Sequence, residues 1–299
     1  DIDNDGDLDY VVGNFGTNTL FKADFGQPIS LIGKDFDLNG SMESFISFFS
    51  RDSIGNKKNY IYHVWEDLVQ QYPSLRKQYN SHGKYGLATS NMVFDKIDLS
   101  SSIKLNANFL NTSWVENLGE NKFKINLLPA QCQFSPIYGI LKTDVNGDEF
   151  DDFMLVGNNF GVEPNQGRLD AINGIILENT GKKGFKVLHL NKTNFLVQGD
   201  AKSIVKLTYK NKLIKIISQN NDSLRVYESN KFINNKLINW MKNEFKCIIN
   251  FQNGSKKILY RIDNQSFQSQ SSENFVINNM VESVDFFSNS NLLLRSLKN

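Results

Sequence analysis

The sequence predicts an all-β protein of short antiparallel strands, arranged as a propeller or a sandwich, and three observations carry that expectation. A nine-residue acidic loop occurs three times, each time running directly into strand-like apolar residues. A strand, Asn-x-Gly, strand pattern occurs at 113–125 and again at 175–188, with Asn117 and Asn179 standing 62 residues apart, the spacing of successive four-stranded blades with their loops. Phe is abundant at 23 and Pro scarce at 5, a mix that suits strands joined by polar turns. The blade-like repeat favours the propeller over the sandwich.

The acidic loops come first. The opening DIDNDGDLD places Asp1, Asp3, Asp5 and Asp9 at positions 1, 3, 5 and 9, with Gly6 at the turn. DFDLNGSME repeats the frame with Asp35, Asp37, Asn39 and Glu43, and DVNGDEFDD repeats it with Asp144, Asn146, Asp148 and Asp152. Recurrence in register argues against a disordered acidic stretch, which needs charge but no frame. Alternate oxygen ligands in a tight loop suit Ca²⁺, which accepts six to eight oxygens; Mg²⁺ demands stricter geometry, and zinc wants His or Cys, which no loop contains. The EF-hand also uses positions 1, 3 and 5, but it closes with a Glu at position 12 and continues as a helix. Position 12 here is Val12, Ile46 or Leu155, so the acid at position 9 is expected to close each loop. The third copy has Glu149 where the others have the turn Gly, with Gly147 two residues earlier.

Between the loops, KLIKIISQNNDSLRVYES reads as another hairpin, around Asn220, Asn221 and Asp222. Residues 63–94 break the β pattern. Their apolar positions 64, 65, 68, 69, 72, 75 and 79 have helical spacing, and Pro73 is expected to open a second short helix. This predicts a small helical insertion packed on a sheet.

Length and composition set outer bounds. The 299 residues suffice for one large or two ordinary domains. A net charge of +1 gives no indication of nucleic acid as a partner, and no apolar run reaches the ~20 residues of a membrane span. Cys132 and Cys247 are too few for a disulfide framework or thiolate metal site; two unrelated buried thiols are expected, with a single bridge as the alternative. The chain starts inside an acidic loop, which reads as the C-terminal fragment of a longer protein.

D-x-[DN]-x-D-G-x-x-D followed by strand residues resembles the FG-GAP or VCBS repeat, the calcium-loop blade of integrin-α-like propellers. The stretch QFSPIYGILKTDVNGDEFDDFMLVGNNFGVEPNQGRLDAINGIILEN, residues 133–179, resembles the late blades of bacterial VCBS-repeat proteins of the cartilage-acidic-protein and UnbV group, and segment 63–94 resembles their insertion. Residues 247–287 resemble the ASPIC/UnbV module, matching its signature at Phe267, Ser269, Gln270, Ser271 and Ser272, while Asn264 and Ser266 stand where that family has glycines. The resemblance implies a partial β-propeller over 1–229, a C-terminal β module over 230–299, up to three structural Ca²⁺ sites, and an exported or cell-surface location.

For function, no nucleophile signature is present. His63, His82 and His189 stand far apart in sequence, and the paired carboxylates Asp151 and Asp152 fall inside a loop, so no catalytic residue is expected. Two readings follow. One is a non-catalytic surface propeller that binds a protein or glycan. The other is an accessory domain of an extracellular enzyme whose catalytic residues lie N-terminal to this sequence. Trp65, Trp114 and Trp240 are the tryptophans whose exposure bears on glycan binding.

Overall fold

The computed structural model describes residues 1–299 except 4, 149, 165, 182–183, 210–211, 229–235 and 263–268. Strands dominate, in several small antiparallel sheets, and the described residues close into neither a barrel nor a propeller. The expected boundary at 229–230, the substituted turn residue Glu149, and Asn264, Ser266 and Phe267 of the C-terminal signature all lie outside the described residues.

The chain divides into two compact units, residues 1–16 with 111–299, and residues 17–110. Strand pairing shows why the first is discontinuous. Strand β1 (Tyr10–Val12) pairs antiparallel with β6 (Ser113–Asn117), Val11 opposite Trp114. The whole of 17–110 is therefore inserted between two neighbouring strands of one sheet. It includes the expected helical segment, but also four strands and the second acidic loop.

Within 17–110, β2 (Ile29–Lys34), β3 (Glu43–Arg51), β4 (Lys57–Ile61) and β5 (Ile103–Ala107) form a sheet in the order β4-β3-β2-β5. Four short helices follow β4: α1 (Trp65–Gln71), α2 (Leu75–Gln78), α3 (His82–Gly86) and α4 (Ser90–Phe94). Their apolar sides, with Leu68, Val69, Leu75 and Val93, pack against Phe45 and Ile61 of the sheet. Such helices are too short to be stable alone and depend on this burial. Pro73 lies in the turn before α2 instead of opening it, because Ser74 stands at the N-cap.

In the other unit, β6 continues through the first Asn-x-Gly turn into β7 (Phe123–Leu127), completing a three-stranded sheet. The next four strands, β8 (Ile137–Thr143), β9 (Asp152–Gly157), β10 (Ile175–Asn179) and β11 (Phe185–Leu188), form an up-and-down sheet. β9 is buried along its full length, and its alternation explains why. Phe153 and Leu155 enter a core shared with Val11 and Trp114, whereas Met154 and Val156 enter one shared with Ile204 and Ile217. The latter two belong to a third sheet of β12 (Ala201–Tyr209), β13 (Lys212–Gln219) and β14 (Arg225–Glu228). The middle sheet is thus covered on both faces, by the sheet before it and the sheet after it. Side-chain period two puts alternate residues on opposite faces, which is why a β9 buried on both sides reads as a continuous apolar run.

The C-terminal strands are β15 (Lys236–Asn239), β16 (Lys246–Phe251), β17 (Lys256–Tyr260), β18 (Asn274–Ile277), β19 (Val281–Phe287) and β20 (Leu293–Lys298). β15 pairs with β18, and the rest form a sheet in the order β17-β16-β19-β20. Their core contains Cys247, Ile249, Val284 and Phe286, with Trp240 packed on Phe275 and Phe286. Cys132 sits in a different core, and both cysteines are buried free thiols. Burial pushes each thiol up to about 12, so neither is a ready nucleophile. Among the described residues no helix is long and apolar enough to cross a membrane.

Candidate metal centres

The three acidic loops occupy comparable places. The second connects β2 to β3, with Lys34 paired to Glu43; the third connects β8 to β9, with Thr143 paired to Asp152. The first leads into β1. In all three, position 2 is apolar and packs inward: Ile2 is in the core below the middle sheet, Phe36 stacks on Phe45 at 5.3 Å, and Val145 packs against the opposite face of the middle sheet.

Position 9 has one constant job. Its carboxylate accepts the backbone N–H of position 2, from Ile2 to Asp9 at 2.7 Å, Phe36 to Glu43 at 2.7 Å and Val145 to Asp152 at 2.9 Å. In the first and third loops the other oxygen accepts a second N–H, from Asn117 at 2.9 Å and from Asn179 at 2.7 Å. Those two asparagines fold their own Oδ1 back onto Gly119 and Gly181 N–H at 3.0 and 2.9 Å. The Asn-x-Gly turns recur in the sequence because each is tied to an acidic loop. Asn179 also donates Nδ2–H to the Ile2 carbonyl at 2.7 Å, joining the first loop to the middle sheet.

The loops differ at positions 1, 3 and 5. Carboxylate oxygens of Asp1, Asp3 and Asp9 lie within 4.8 Å of one another, and so do those of Asp35, Asp37 and Glu43. Among the described residues these are the two sets of acidic, His or Cys side chains that converge in this way. In the first loop, Oδ1 of Asp1 and Oδ1 of Asp3 are buried with no hydrogen-bond partner. Burial, then the charges of Asp5 and Asp9, raise the Asp3 carboxyl above its usual range. Asp5 stands outside the converging set and accepts from Asp7 N–H at 2.9 Å. In the second loop Asp35 accepts from Asn39 and Gly40 N–H at 3.0 and 2.9 Å, and Asn39 Oδ1 accepts from Ser41 N–H at 2.8 Å.

The third loop is engaged with itself. Asp144 accepts from Gly147 N–H at 2.6 Å, and Asn146 Oδ1 accepts from Asp148 N–H at 2.9 Å. Asn146 Nδ2 donates to Asp148 at 2.8 Å, and Asp148 accepts from Phe150 N–H at 3.0 Å. Asp152 is fully buried, and burial, followed by the charges of Asp148 and Asp144, pushes it up to about 6 against its two N–H donors.

The candidate acid–base pair divides between two tasks. Asp152 holds backbone N–H groups, while Asp151 bridges Lys142 at 2.9 Å and Lys257 at 3.1 Å. Burial works to raise Asp151, but the two lysines hold it down to about 2. His63 Nε2 accepts from Ile46 N–H at 3.4 Å, and His82 faces Glu66 at 3.1 Å.

Of the tryptophans, Trp65 donates Nε1–H to the Tyr79 carbonyl at 2.8 Å, and Trp240 packs between two phenylalanines. Trp114 is different. It packs edge-on against Phe185 and borders an open cleft of about 730 Å³ whose walls include Asp3, Glu116, Lys124 and Asn126. Position 2 of the loops is a position that spacing of acids alone misses, marked by an apolar residue in every copy, while the recurring Asn-x-Gly pattern marks the two turn asparagines. Compared with family models and with curated proteins, the sequence matches none.

Proposed function

We propose that this chain is a calcium-stabilised, non-catalytic β scaffold of the FG-GAP/VCBS propeller type, from an exported or cell-surface protein, that recognises a protein or glycan. The observation that carries the reading is the converging carboxylate set of Asp1, Asp3 and Asp9, with two buried oxygens that have no partner. A buried anionic oxygen without a partner is costly, and a hard cation with oxygen ligands removes that cost. Asp9 fits both tasks, because an ionised carboxylate has about four acceptor sites and its backbone bonds use two. The second set, Asp35, Asp37 and Glu43, supports a second Ca²⁺ site by the same convergence.

Ligand recognition is placed at the cleft beside Trp114. An aromatic face next to an amide and a paired carboxylate is the combination that binds sugar rings and polar protein surfaces. Face-to-face stacking of successive up-and-down sheets around β8–β11 supports the propeller architecture.

The test is thermal unfolding with and without chelator. Ca²⁺ binds the folded state, so chelation is expected to lower the melting temperature, and Ca²⁺ but not Mg²⁺ to restore it. A melt indifferent to chelator would overturn the metal reading.

A further inference from the structure

Ser271, Ser272 and Asn274, at the end of the C-terminal signature, lie along the edge of β12. Lys206 N–H donates to Ser271 Oγ at 3.0 Å, Ser272 N–H donates to the Lys206 carbonyl at 2.8 Å, and Asn274 Nδ2 donates to Thr208 Oγ1 at 2.6 Å. Between this run and β8 is a small cavity of about 70 Å³. Its walls include Lys206, Gln270, Ser271 and Ser272, with Trp240 and Tyr260 as aromatic sides.

The charge here is one-sided although the chain as a whole is nearly neutral. Lys142 and Lys257 both pair with Asp151, and Arg261 pairs with Glu273. Lys206 also lines the cavity, and its cross-strand neighbour on the same face is another lysine, Lys215, buried at 8% exposure. Like charges directly opposite on a sheet destabilise it. Three cations, Lys142, Lys206 and Arg261, stand among the described walls of the cavity with one carboxylate, Glu273, and among the described residues Lys206 forms no ion pair. Burial pulls the Lys206 ammonium down to about 8, with Lys142 adding to the effect and Asp151 opposing it, so it still carries a proton near neutral pH. Ser271 Oγ is used as an acceptor, leaving its proton to give, and Gln270 and Ser272 line the same cavity.

We propose that this cavity binds a small oxyanion, the carboxylate or phosphate-like end of a ligand, held by the Lys206 ammonium and by side-chain donors of Gln270, Ser271 and Ser272. At about 70 Å³ the cavity is of a size for one such group. This gives the signature run a binding role independent of the calcium loops.

The experiment titrates the full chain, in buffers stripped of divalent cations, with sodium phosphate and with sodium acetate, each against sodium chloride at matched ionic strength. Tryptophan emission and the backbone amide shifts of Lys206, Ser271 and Ser272 are read. Saturable change is expected with at least one oxyanion and not with chloride, and the tighter of the two identifies the group. Lys206→Met is expected to weaken binding at least about tenfold, since charge-assisted hydrogen bonds are the strong ones, and Ser272→Ala by a smaller factor. Lys77→Met, an exposed lysine in the other unit, is expected to change nothing. Equal responses to chloride and oxyanions would overturn the proposal, as would unchanged affinity in Lys206→Met. If Lys206→Met does not fold, unchanged affinity in Ser272→Ala together with Gln270→Ala has the same force.

Discussion

The first and third acidic loops share a frame, an inward-packed apolar position 2 and a position-9 aspartate that ties the loop to an Asn-x-Gly turn, yet their remaining oxygens are used differently. In the first, carboxylates converge and two buried oxygens lack a partner. In the third, Asn146 stands where the first has Asp3, and its amide both accepts from and donates to Asp148. One amide in place of one carboxylate lets the loop satisfy itself. Oxygen spacing therefore places a loop, whereas the oxygens left without donors are the ones a cation would satisfy. Position 9 is common to both because it serves the backbone first.

The largest expected effect separates that backbone role from metal binding. Asp152→Ala leaves the Val145 and Asn179 N–H groups without their acceptor, at a cost of about 3 kcal/mol, and denaturant unfolding should show the loss with or without chelator. Asp3→Ala makes the opposite case. It should destabilise only in the presence of Ca²⁺, and be neutral or slightly stabilising in chelator, because it removes a carboxylate crowded by Asp5 and Asp9. If both variants respond to chelator alike, the two loops do not differ as described.

Next in size is the metal itself. At a hundredfold excess over the dissociation constant, each occupied site contributes about 2.7 kcal/mol. Calorimetric titration should find two sites, from the first and second loops, and not three. Asn146→Asp should move the third loop toward the first, because it takes away the amide donor that now satisfies Asp148. A third binding event in that variant, absent from the parent, is the result that sharpens the comparison; an unchanged stoichiometry of three in the parent breaks it.

Much of this was legible in the sequence. The β class, the hairpins at 113–125 and 175–188, the helices within 63–94 and the three loop frames follow from periodicity and turn chemistry, which are local. What was not legible is long-range. Nothing in the spacing of Asp9 and Asn117 announces a hydrogen bond across 108 residues, or that 17–110 would form its own unit between β1 and β6. The internal hydrogen bonding of the third loop was hidden for a different reason. Asn and Asp are interchangeable as oxygen ligands on paper, but only Asn also donates. The Lys206 cavity was equally silent, since its walls come from β8, β12 and the C-terminal run, and only the fold brings them together.

The smallest effect concerns position 4, where backbone and not charge distinguishes the loops. Leu38 in the second loop has φ 60° and is 86% exposed, while the third loop places Gly147 at the same position with φ 87°. A left-handed conformation costs a non-glycine residue about 1–2 kcal/mol, and the exposed Leu38 side chain recovers little of it by packing. Glycine also costs more entropy on folding, about 0.5–1 kcal/mol, so Leu38→Gly should stabilise the chain by a net ~0.5 kcal/mol. The reciprocal change is cleaner. A Cβ at Gly147 would meet no atom within 4 Å, so Gly147→Ala carries strain without a clash and should destabilise by about 1 kcal/mol. Both are read from denaturant midpoints in chelator, where metal cannot mask them. Opposite signs place the backbone strain in the second loop and its relief in the third; equal signs would mean that position 4 is not where the loops differ.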